Sequence, residues 1–155
     1  MTRNCGPDLA RVGAGLPVAA YRDEITTALH GGRAVIVAPP GTGKTTFVPP
    51  LVASRCSGRV IVTQPRRVAA RAAARRLAAL TGTRPGEFAS HTVHGESTTT
   101  RDTKVEFVTT GVLLRRLLSD PDLTGVDAVV LDEVHERHLD ADLVVAMECE
   151  VAQLR

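Results

Sequence analysis

The segment Ala38-Pro-Pro-Gly-Thr-Gly-Lys-Thr-Thr46 decides the fold. It follows the apolar run Ala34-Val-Ile-Val-Ala38 and opens a helical pattern that continues to Ala53. A glycine-rich turn between a buried strand and a helix is typical of a phosphate-binding loop, where backbone N–H groups and the helix N-terminus hold an anion. The usual pattern begins with glycine where this chain has Ala38, and the other positions match.

Each residue of the phosphate loop has an expected role. Pro39 and Pro40 have no N–H to donate, so the donors to phosphate are expected from Gly41, Thr42, Gly43, Lys44, Thr45 and Thr46. Lys44 is expected to reach the β- and γ-phosphates, and the Thr45 hydroxyl is expected to bind Mg²⁺. ATP and Mg²⁺ are therefore the predicted cofactors; the alternative is a glycine turn that holds no ligand.

Further apolar runs and helical patterns set the fold class. Buried strands are predicted at Val60–Thr63 and Ala128–Leu131, with weaker strands near Ser90–His94 and Lys104–Thr109. Helices are predicted at Lys44–Ala53, Arg66–Leu80, Thr110–Leu118 and Ala141–Leu154. Because strands alternate with helices, the prediction is an α/β domain with a mainly parallel sheet and right-handed crossovers. Residues 1–15, rich in glycine, are expected to form a flexible lead-in to a domain over residues 16–155.

Length and composition exclude several classes of protein. The 155 residues suit one domain, and no apolar run approaches the ~20 residues that cross a bilayer. The N-terminus has no apolar segment typical of a secretory signal. Cys5, Cys56 and Cys149 are far apart and form no zinc spacing, which suits reduced thiols and a cytoplasmic location without a membrane partner.

The charge is divided unevenly along the chain. Residues 25–86 hold ten basic side chains and no acidic one, whereas the remaining 93 residues hold nine basic and seventeen acidic side chains. Within the basic segment, Arg67, Arg71 and Arg75 recur every four residues and share one stripe of a helix. The stripe is either a solvated basic face or a surface for nucleic-acid phosphates. With four aromatic residues in the chain, contacts to phosphates are expected more than base stacking.

A second motif, Asp127-Ala-Val-Val-Leu-Asp-Glu-Val-His-Glu-Arg137, joins an apolar strand to adjacent carboxylates. In a parallel sheet Asp132 would reach the same edge as the phosphate loop, where it can hold Mg²⁺. Glu133 can polarise a water for attack on the γ-phosphate. Alone, the motif is equally consistent with a surface turn; the phosphate loop upstream favours the catalytic interpretation.

Asp132-Glu-Val-His135 resembles the DEAH box of superfamily 2 helicases, with valine in place of alanine, and Glu136-Arg137 continues the likeness. Thr63-Gln-Pro-Arg-Arg-Val-Ala-Ala-Arg71 is similar to motif Ia, and Thr109-Thr-Gly-Val-Leu-Leu-Arg115 to motif Ib. The approach to the loop from Leu16 is also typical of the family, and Ala-Pro-Pro before the loop is familiar from bacterial HrpB-type members.

The resemblance implies a RecA-like, three-layer P-loop NTPase domain of an ATP-dependent RNA helicase. It implies that Arg66, Arg67 and Thr109 touch the sugar-phosphate backbone of a nucleic acid. Arg71 is the further nucleic-acid contact expected from the arginine stripe. The resemblance also implies that His135 links the ATP site to a second RecA-like domain, which carries the arginine fingers. The chain stops just before the family's Ser-Ala-Thr strand, which lies between the phosphate-loop strand and the DEAH strand, so the sheet is expected to be incomplete.

Three functions remain in competition. The first is the ATP-binding domain of a DEAH-box helicase acting on a single strand, with RNA expected and DNA left open. The second is a P-loop ATPase or kinase without a nucleic-acid role, and the third is a nucleotide- or RNA-binding fragment without turnover. The pairs His91/His94 and His135/His138 also raise a structural zinc site, which the absence of nearby cysteines disfavours.

Overall fold

A computed structural model describes residues 6–134 and 142–147 of the chain. Its strands are β1 (Arg59–Gln64), β2 (Ala89–Val93), β3 (Glu96–Ser97), β4 (Val105–Thr109) and β5 (Val126–Leu131). Its α-helices are α1 (Leu9–Gly13), α2 (Arg22–Leu29), α3 (Lys44–Ala53), α4 (Arg67–Thr81) and α5 (Thr110–Ser119). A 3-10 helix, Pro17–Tyr21, joins α1 to α2.

The five strands form one sheet in the order β3-β2-β4-β1-β5. β1 pairs in parallel with β4 on one side and with β5 on the other, while the short β3 is antiparallel to β2. The carboxyl ends of β4, β1 and β5 therefore meet at one edge of the sheet, with Gln64 opposite Thr109 and Thr63 opposite Leu131. The mainly parallel α/β sheet predicted from the sequence is confirmed.

Two apolar clusters cover the two faces of the sheet. Successive residues of β1 point to opposite faces, so Val60 and Val62 enter one cluster and Ile61 enters the other. The larger cluster is built on α1, α3 and α4, with Phe47 and Leu77 fully buried, and the smaller one lies under α5. The helix–sheet–helix sandwich is the expected three-layer arrangement.

The stretch that precedes the loop differs from the prediction. Residues 34–38 form no strand, and Val35 and Val37 are each 91% exposed, although Ile36 packs against the larger cluster. A β-strand needs a hydrogen-bonded neighbour, and within the described residues β5 is the edge of the sheet, with no strand between it and residues 34–38. For the same reason β5 is only partly buried rather than fully buried as the sequence predicts.

The N-terminal lead-in also differs from the prediction. Asp8 caps α1, because its Oδ1 accepts hydrogen bonds from the backbone N–H groups of Ala10 and Arg11 at 3.1 and 3.2 Å. Leu9 and Val12 are buried in the larger cluster. Residues 8–14 are therefore part of the packed domain, not a loose lead-in.

The C-terminal helix is described only in part. Residues 142–147 are helical, within the predicted helix Ala141–Leu154, with Val144 buried and Val145 at 36% exposure. The rest of this predicted helix lies outside the described residues. Cys56 is a free thiol, and Cys5 and Cys149 are outside the described part of the chain. Over residues 6–134 and 142–147, no helix combines the length and the apolar character that crossing a membrane requires.

Candidate functional site

The phosphate loop is shaped by two glycines in the left-handed region. Gly41 has φ 78° and Gly43 has φ 91°, which side-chain-bearing residues rarely adopt. A Cβ on Gly43 would also approach the Leu16 side chain to 3.0 Å. The Thr42 hydroxyl donates to the Pro39 carbonyl at 2.9 Å, and the Val18 N–H donates to the Thr42 carbonyl at 3.1 Å. The loop is therefore a fixed turn braced by the 3-10 helix.

Lys44 begins α3 and turns back over the loop. Its Nζ donates to the carbonyl oxygens of Ala38 at 2.5 Å and Pro39 at 3.0 Å. Ala38, the one departure from the usual pattern, thus serves through its carbonyl. The ammonium lies within the loop against carbonyl dipoles that anionic oxygens can replace, while the N-terminus of α3 adds its own partial positive charge.

Thr45 and Asp132, the predicted magnesium ligands, are in direct contact. The Thr45 hydroxyl donates to Asp132 Oδ2, although 87 positions separate the two residues in the sequence. The other carboxylate oxygen, Oδ1, accepts from the Glu133 N–H at 3.0 Å. A hydroxyl and one carboxylate beside a phosphate loop are the hard oxygen donors that Mg²⁺ uses together with waters and nucleotide phosphates, so these residues fit the ion.

Sequence reasoning missed a third partner of Asp132. Gln64, the last residue of β1, is 4% exposed and donates from Nε2 to Asp132 Oδ2 at 2.7 Å. The Asp132 N–H in turn donates to the Thr63 hydroxyl at 3.3 Å. The sequence did contain an indication of this role, because the polar residues Thr63 and Gln64 directly follow the apolar run Val60-Ile-Val62 of β1.

Glu133 stands in an uncommon backbone conformation, with φ 55°. Left-handed backbone at a residue with a side chain is strained, and such residues gather at functional sites. Its proposed action on a water stays a prediction from the sequence. His135, predicted to link the ATP site to a second domain, lies outside the described residues, as does His138.

The nucleic-acid residues begin at the N-terminus of α4. Arg66 is the N-cap and Arg67 the first helical residue, and both are exposed. Two cations at the positive end of a helix dipole are unfavourable for the helix itself. The same cations and helix N-terminus favour a bound anion, which supports the phosphate interpretation of this end of the stripe.

Arg71 is paired with an acidic side chain. Its guanidinium pairs with the Glu96 carboxylate of β3, which also accepts a hydrogen bond from His91 Nε2 at 2.7 Å. The hydrogen bonds from Arg71 and His91 lower the pKa of Glu96 to about 2. The stripe helix contains no acid, as the sequence showed, but the fold supplies one from a neighbouring strand. Arg71 is therefore partly neutralised.

Thr109, the predicted motif Ib contact, lies at the same sheet edge. It is the N-cap of α5, its side chain makes no capping hydrogen bond, and its strand register places it opposite Gln64. The carboxyl ends of β4, β1 and β5 thus present Thr109, Gln64 and Asp132 side by side. The end of β1 therefore lies between Asp132, a candidate nucleotide-site residue, and Thr109, a candidate nucleic-acid contact.

The side chains of His91 and His94 contact other protein side chains. His91 contacts Glu96, and the His94 Nδ1 lies 3.2 Å from Arg115 Nη2. Within the described residues, no three side chains of the His, Cys, Asp or Glu type gather to hold a metal ion.

Comparison with known proteins agrees with this geometry. The sequence profile of the family described as "DEAD/DEAH box helicase" matches residues 21–147. The chain is 42% identical to the ATP-dependent RNA helicase HrpB of Escherichia coli over 141 residues, which cover 89% of this chain and 17% of that protein. It is 37% identical to the probable ATP-dependent RNA helicase DHR1 of Saccharomyces cerevisiae, covering 90% of this chain and 12% of the relative.

A solved structure shows the same fold. The crystal structure titled "Escherichia coli DEAH/RHA helicase HrpB" matches with a TM-score of 0.85 and 41% identity, over 90% of this chain and 18% of that one. The chain thus spans less than a fifth of the length of these relatives. The resemblance predicted from the motifs is confirmed: this chain belongs to the DEAD/DEAH box helicase family.

Proposed function

We propose that the chain is the ATP-binding and ATP-hydrolysing part of a DEAH-box helicase that couples hydrolysis of Mg²⁺-ATP to movement along a single nucleic-acid strand. The observation that carries the proposal is the shared sheet edge, where Asp132 meets the phosphate-loop residue Thr45 while Thr109 lies across β1. Relatives named as ATP-dependent RNA helicases support RNA as the strand.

The chain's own residues divide the chemistry. Backbone N–H groups from Gly41 to Thr46 and the Lys44 ammonium bind the nucleotide phosphates. Thr45 and Asp132 would hold Mg²⁺, which neutralises charge that develops on the phosphate oxygens. Glu133 accepts a proton from the attacking water as the bond to the γ-phosphorus forms and the bond to the leaving oxygen breaks.

The strand is bound through its phosphates. Arg66 and Arg67 supply charge at the N-terminus of α4, and the Thr109 hydroxyl supplies a hydrogen bond at the neighbouring strand end. Contacts of this kind carry little sequence information, so binding is indifferent to sequence and sensitive to salt. That behaviour suits a protein that moves along any sequence.

We also propose that a second RecA-like domain of the whole protein completes the ATP site with arginine fingers, with His135 linking the two. The support is the much greater length of the helicase relatives and the family resemblance around the DEAH-like box. A cytoplasmic location and the lack of a membrane partner remain predictions from the sequence.

The nucleotide assignment is tested with the chain's two lysines. Calorimetric titration of ADP with Mg²⁺ is expected to show a loss of about 10–100-fold in affinity for Lys44→Ala, because one charge-assisted contact to phosphate disappears. Lys104→Ala is the matched control, since Lys104 binds the Ser57 carbonyl at the opposite sheet edge at 2.5 Å. Equal affinities in the two variants would show that the site is wrongly assigned.

The nucleic-acid assignment is tested by salt dependence. Binding of a fluorescent oligouridine is measured at several salt concentrations, and Arg66→Ala or Arg67→Ala is expected to flatten the slope of log K against log salt by about 0.7 each. Arg71→Ala is expected to change the slope less because of Glu96, and Arg101→Ala, in an exposed turn before β4, is the control. A wild-type slope near zero would favour a P-loop ATPase without a nucleic-acid role.

A further inference from the structure

Gln64 lies in the stretch similar to motif Ia, but the roles described above for the site residues do not include it. Its amide is buried at the end of β1 and donates to the same Asp132 oxygen that accepts from Thr45. A buried amide that makes such a bond fixes its partner, because leaving either group unpaired is costly. The Asp132 carboxylate is thus held on one oxygen by two donors from two different elements, α3 and β1.

Gln64 is also separated by only one residue from the arginines of the proposed nucleic-acid surface. Pro65 follows it directly, Arg66 caps α4 and Arg67 is the first residue of that helix. Proline fixes its own φ and restricts the residue before it, so the connection between the strand end and the helix is short and stiff. A displacement of Arg66 or Arg67 is therefore passed to Gln64 instead of being absorbed by a flexible loop.

We propose that Gln64 is a positioning residue that orients the Asp132 carboxylate for Mg²⁺-nucleotide and, through Pro65, makes that orientation depend on the strand held by Arg66 and Arg67. The inference rests on the proposed function, since it takes Asp132 as the magnesium ligand. It adds Gln64 to the site and gives a route of coupling. A change at Arg66 or Arg67 reaches Asp132 through Pro65 and Gln64 at the end of β1, and the phosphate loop does not have to move.

The first experiment measures the magnesium-dependent part of nucleotide affinity. ADP and a non-hydrolysable ATP analogue are titrated into the chain with MgCl₂ and with EDTA, in wild type and in Gln64→Met, which keeps the side-chain length and removes the donor. Loss of a partner that orients a metal ligand typically weakens metal binding by about 10–100-fold. The gain in affinity on adding Mg²⁺ is expected to fall by at least about tenfold, while the affinity in EDTA stays unchanged.

The matched control is Ser57→Ala. The Ser57 hydroxyl donates to the Asp127 carboxylate at 3.2 Å, at the opposite ends of β1 and β5. The substitution therefore removes a hydrogen bond to an aspartate far from the phosphate loop. Gln64→Asn keeps an amide but withdraws it by one methylene, and it is expected to reproduce the loss should Gln64→Met fold poorly. Unchanged EDTA affinity demonstrates an intact loop in each variant.

The second experiment measures coupling between the two sites. The affinity for oligouridine is determined with and without the Mg²⁺-bound analogue, and the ratio gives a coupling factor that must be reciprocal. In wild type the factor is expected to differ from 1 by about fivefold or more, and in Gln64→Met to move to within twofold of 1 with the nucleotide-free RNA affinity retained. A purely structural defect would instead lower both affinities.

The outcomes separate this inference from the proposed function. Failure of the wild-type chain to bind nucleotide more tightly with Mg²⁺ overturns the proposed function itself. A normal wild-type response that persists unchanged in Gln64→Met and Gln64→Asn overturns only the positioning role. A wild-type coupling factor of 1, or one that Gln64→Met leaves intact, overturns the route through β1.

Discussion

Glu106 offers the sharpest test of the packing beneath the site. This carboxylate of β4 is fully buried, yet its two oxygens accept hydrogen bonds from several donors. Arg116 of α5 supplies two bonds at 2.9 and 2.6 Å, and Arg59 of β1 supplies one at 3.2 Å. Thr92 and Thr99 donate at 2.6 and 3.1 Å. The cluster therefore ties α5, which follows Thr109, to the sheet.

The contribution of Glu106 to the free energy of unfolding follows from its pKa. Burial raises it, but the hydrogen bonds from Arg116 and Thr92 and the two guanidinium charges outweigh burial, and the pKa falls from an ordinary 4.5 to about 2. Each unit of pKa difference between the folded and unfolded states corresponds to about 1.4 kcal/mol, so the ionised group stabilises the fold by about 3 kcal/mol at pH 7. Because the folded pKa is depressed, this contribution is present above pH ~4.5 and is lost as the pH falls toward 2.

The perturbation is Glu106→Gln, which keeps the shape and leaves two guanidinium groups without their carboxylate. Removing one partner of a buried ion pair costs about 3–5 kcal/mol. With a urea m-value of about 1–3 kcal/mol/M, the unfolding midpoint at pH 7 is expected to fall by about 1–5 M. Glu96→Gln is the control, because Glu96 also has a pKa of about 2 but its side chain is 41% exposed, so its loss shifts the midpoint far less.

Urea unfolding followed by far-ultraviolet circular dichroism, at several pH values from 7 to 2.5, supplies the measurement. The midpoint difference between wild type and Glu106→Gln is expected to shrink steadily as the pH falls from about 4.5 to 2.5. Protons then bind the unfolded chain but not folded Glu106, so the stabilisation by the ionised carboxylate diminishes. Other carboxylates titrate in the same range, but they cancel in the difference. A pH-independent difference, or one no larger than that of Glu96→Gln at pH 7, would refute the assigned energetics.

Two further predictions concern the nucleotide site. Gly43→Ala is expected to weaken nucleotide binding, measured by calorimetry, and to lower the urea unfolding midpoint more than Gly95→Ala does. Both glycines have positive φ, but only at Gly43 would an added Cβ approach the Leu16 side chain, to 3.0 Å. Equal effects of the two substitutions would contradict this reasoning. The 155-residue chain is expected to hydrolyse ATP slowly and to unwind no duplex, because an arginine finger from another domain accounts for about 10³–10⁵ in rate. Phosphate release is the assay. Strong RNA-stimulated turnover by a monomer would contradict this prediction.

Local patterns in the sequence predicted most of the elements. Helix α3 has the predicted bounds Lys44–Ala53. Helix α4 is displaced by one residue at both ends from the predicted Arg66–Leu80, and α5 extends one residue beyond the predicted Leu118. These helices are defined by nearby residues: a glycine turn before Lys44, and apolar positions on one face of α4 that end at the left-handed Gly82. Local signals of this kind need no knowledge of the remaining chain.

Predictions failed where the decisive partner is distant in sequence. The apolar run at residues 34–38 reads as a strand, but pairing depends on a neighbouring strand and not on the run itself. The pairing of Arg71 with Glu96 and the burial of Glu106 depend on the sheet order, which periodicity does not contain. The capping Asp8 of α1 was a local signal, and the surrounding glycines obscured it.

The parallel direction of β1, β4 and β5 explains why the candidate site residues could be named before their contacts were known. In a parallel sheet every strand ends at one edge, so residues that follow apolar strands are brought together whatever the strand order. The order then decides which of them touch: β1 lies between β4 and β5, so Gln64 faces Thr109 on one side and reaches Asp132 on the other. The opposite edge carries Asp127 bonded to the Gly58 N–H at 2.6 Å, a contact that fixes the strand starts. Among the described strands, β1 borders both β4 and β5. Its last residue, Gln64, therefore lies between Asp132 of the proposed nucleotide site and Thr109 of the proposed nucleic-acid surface.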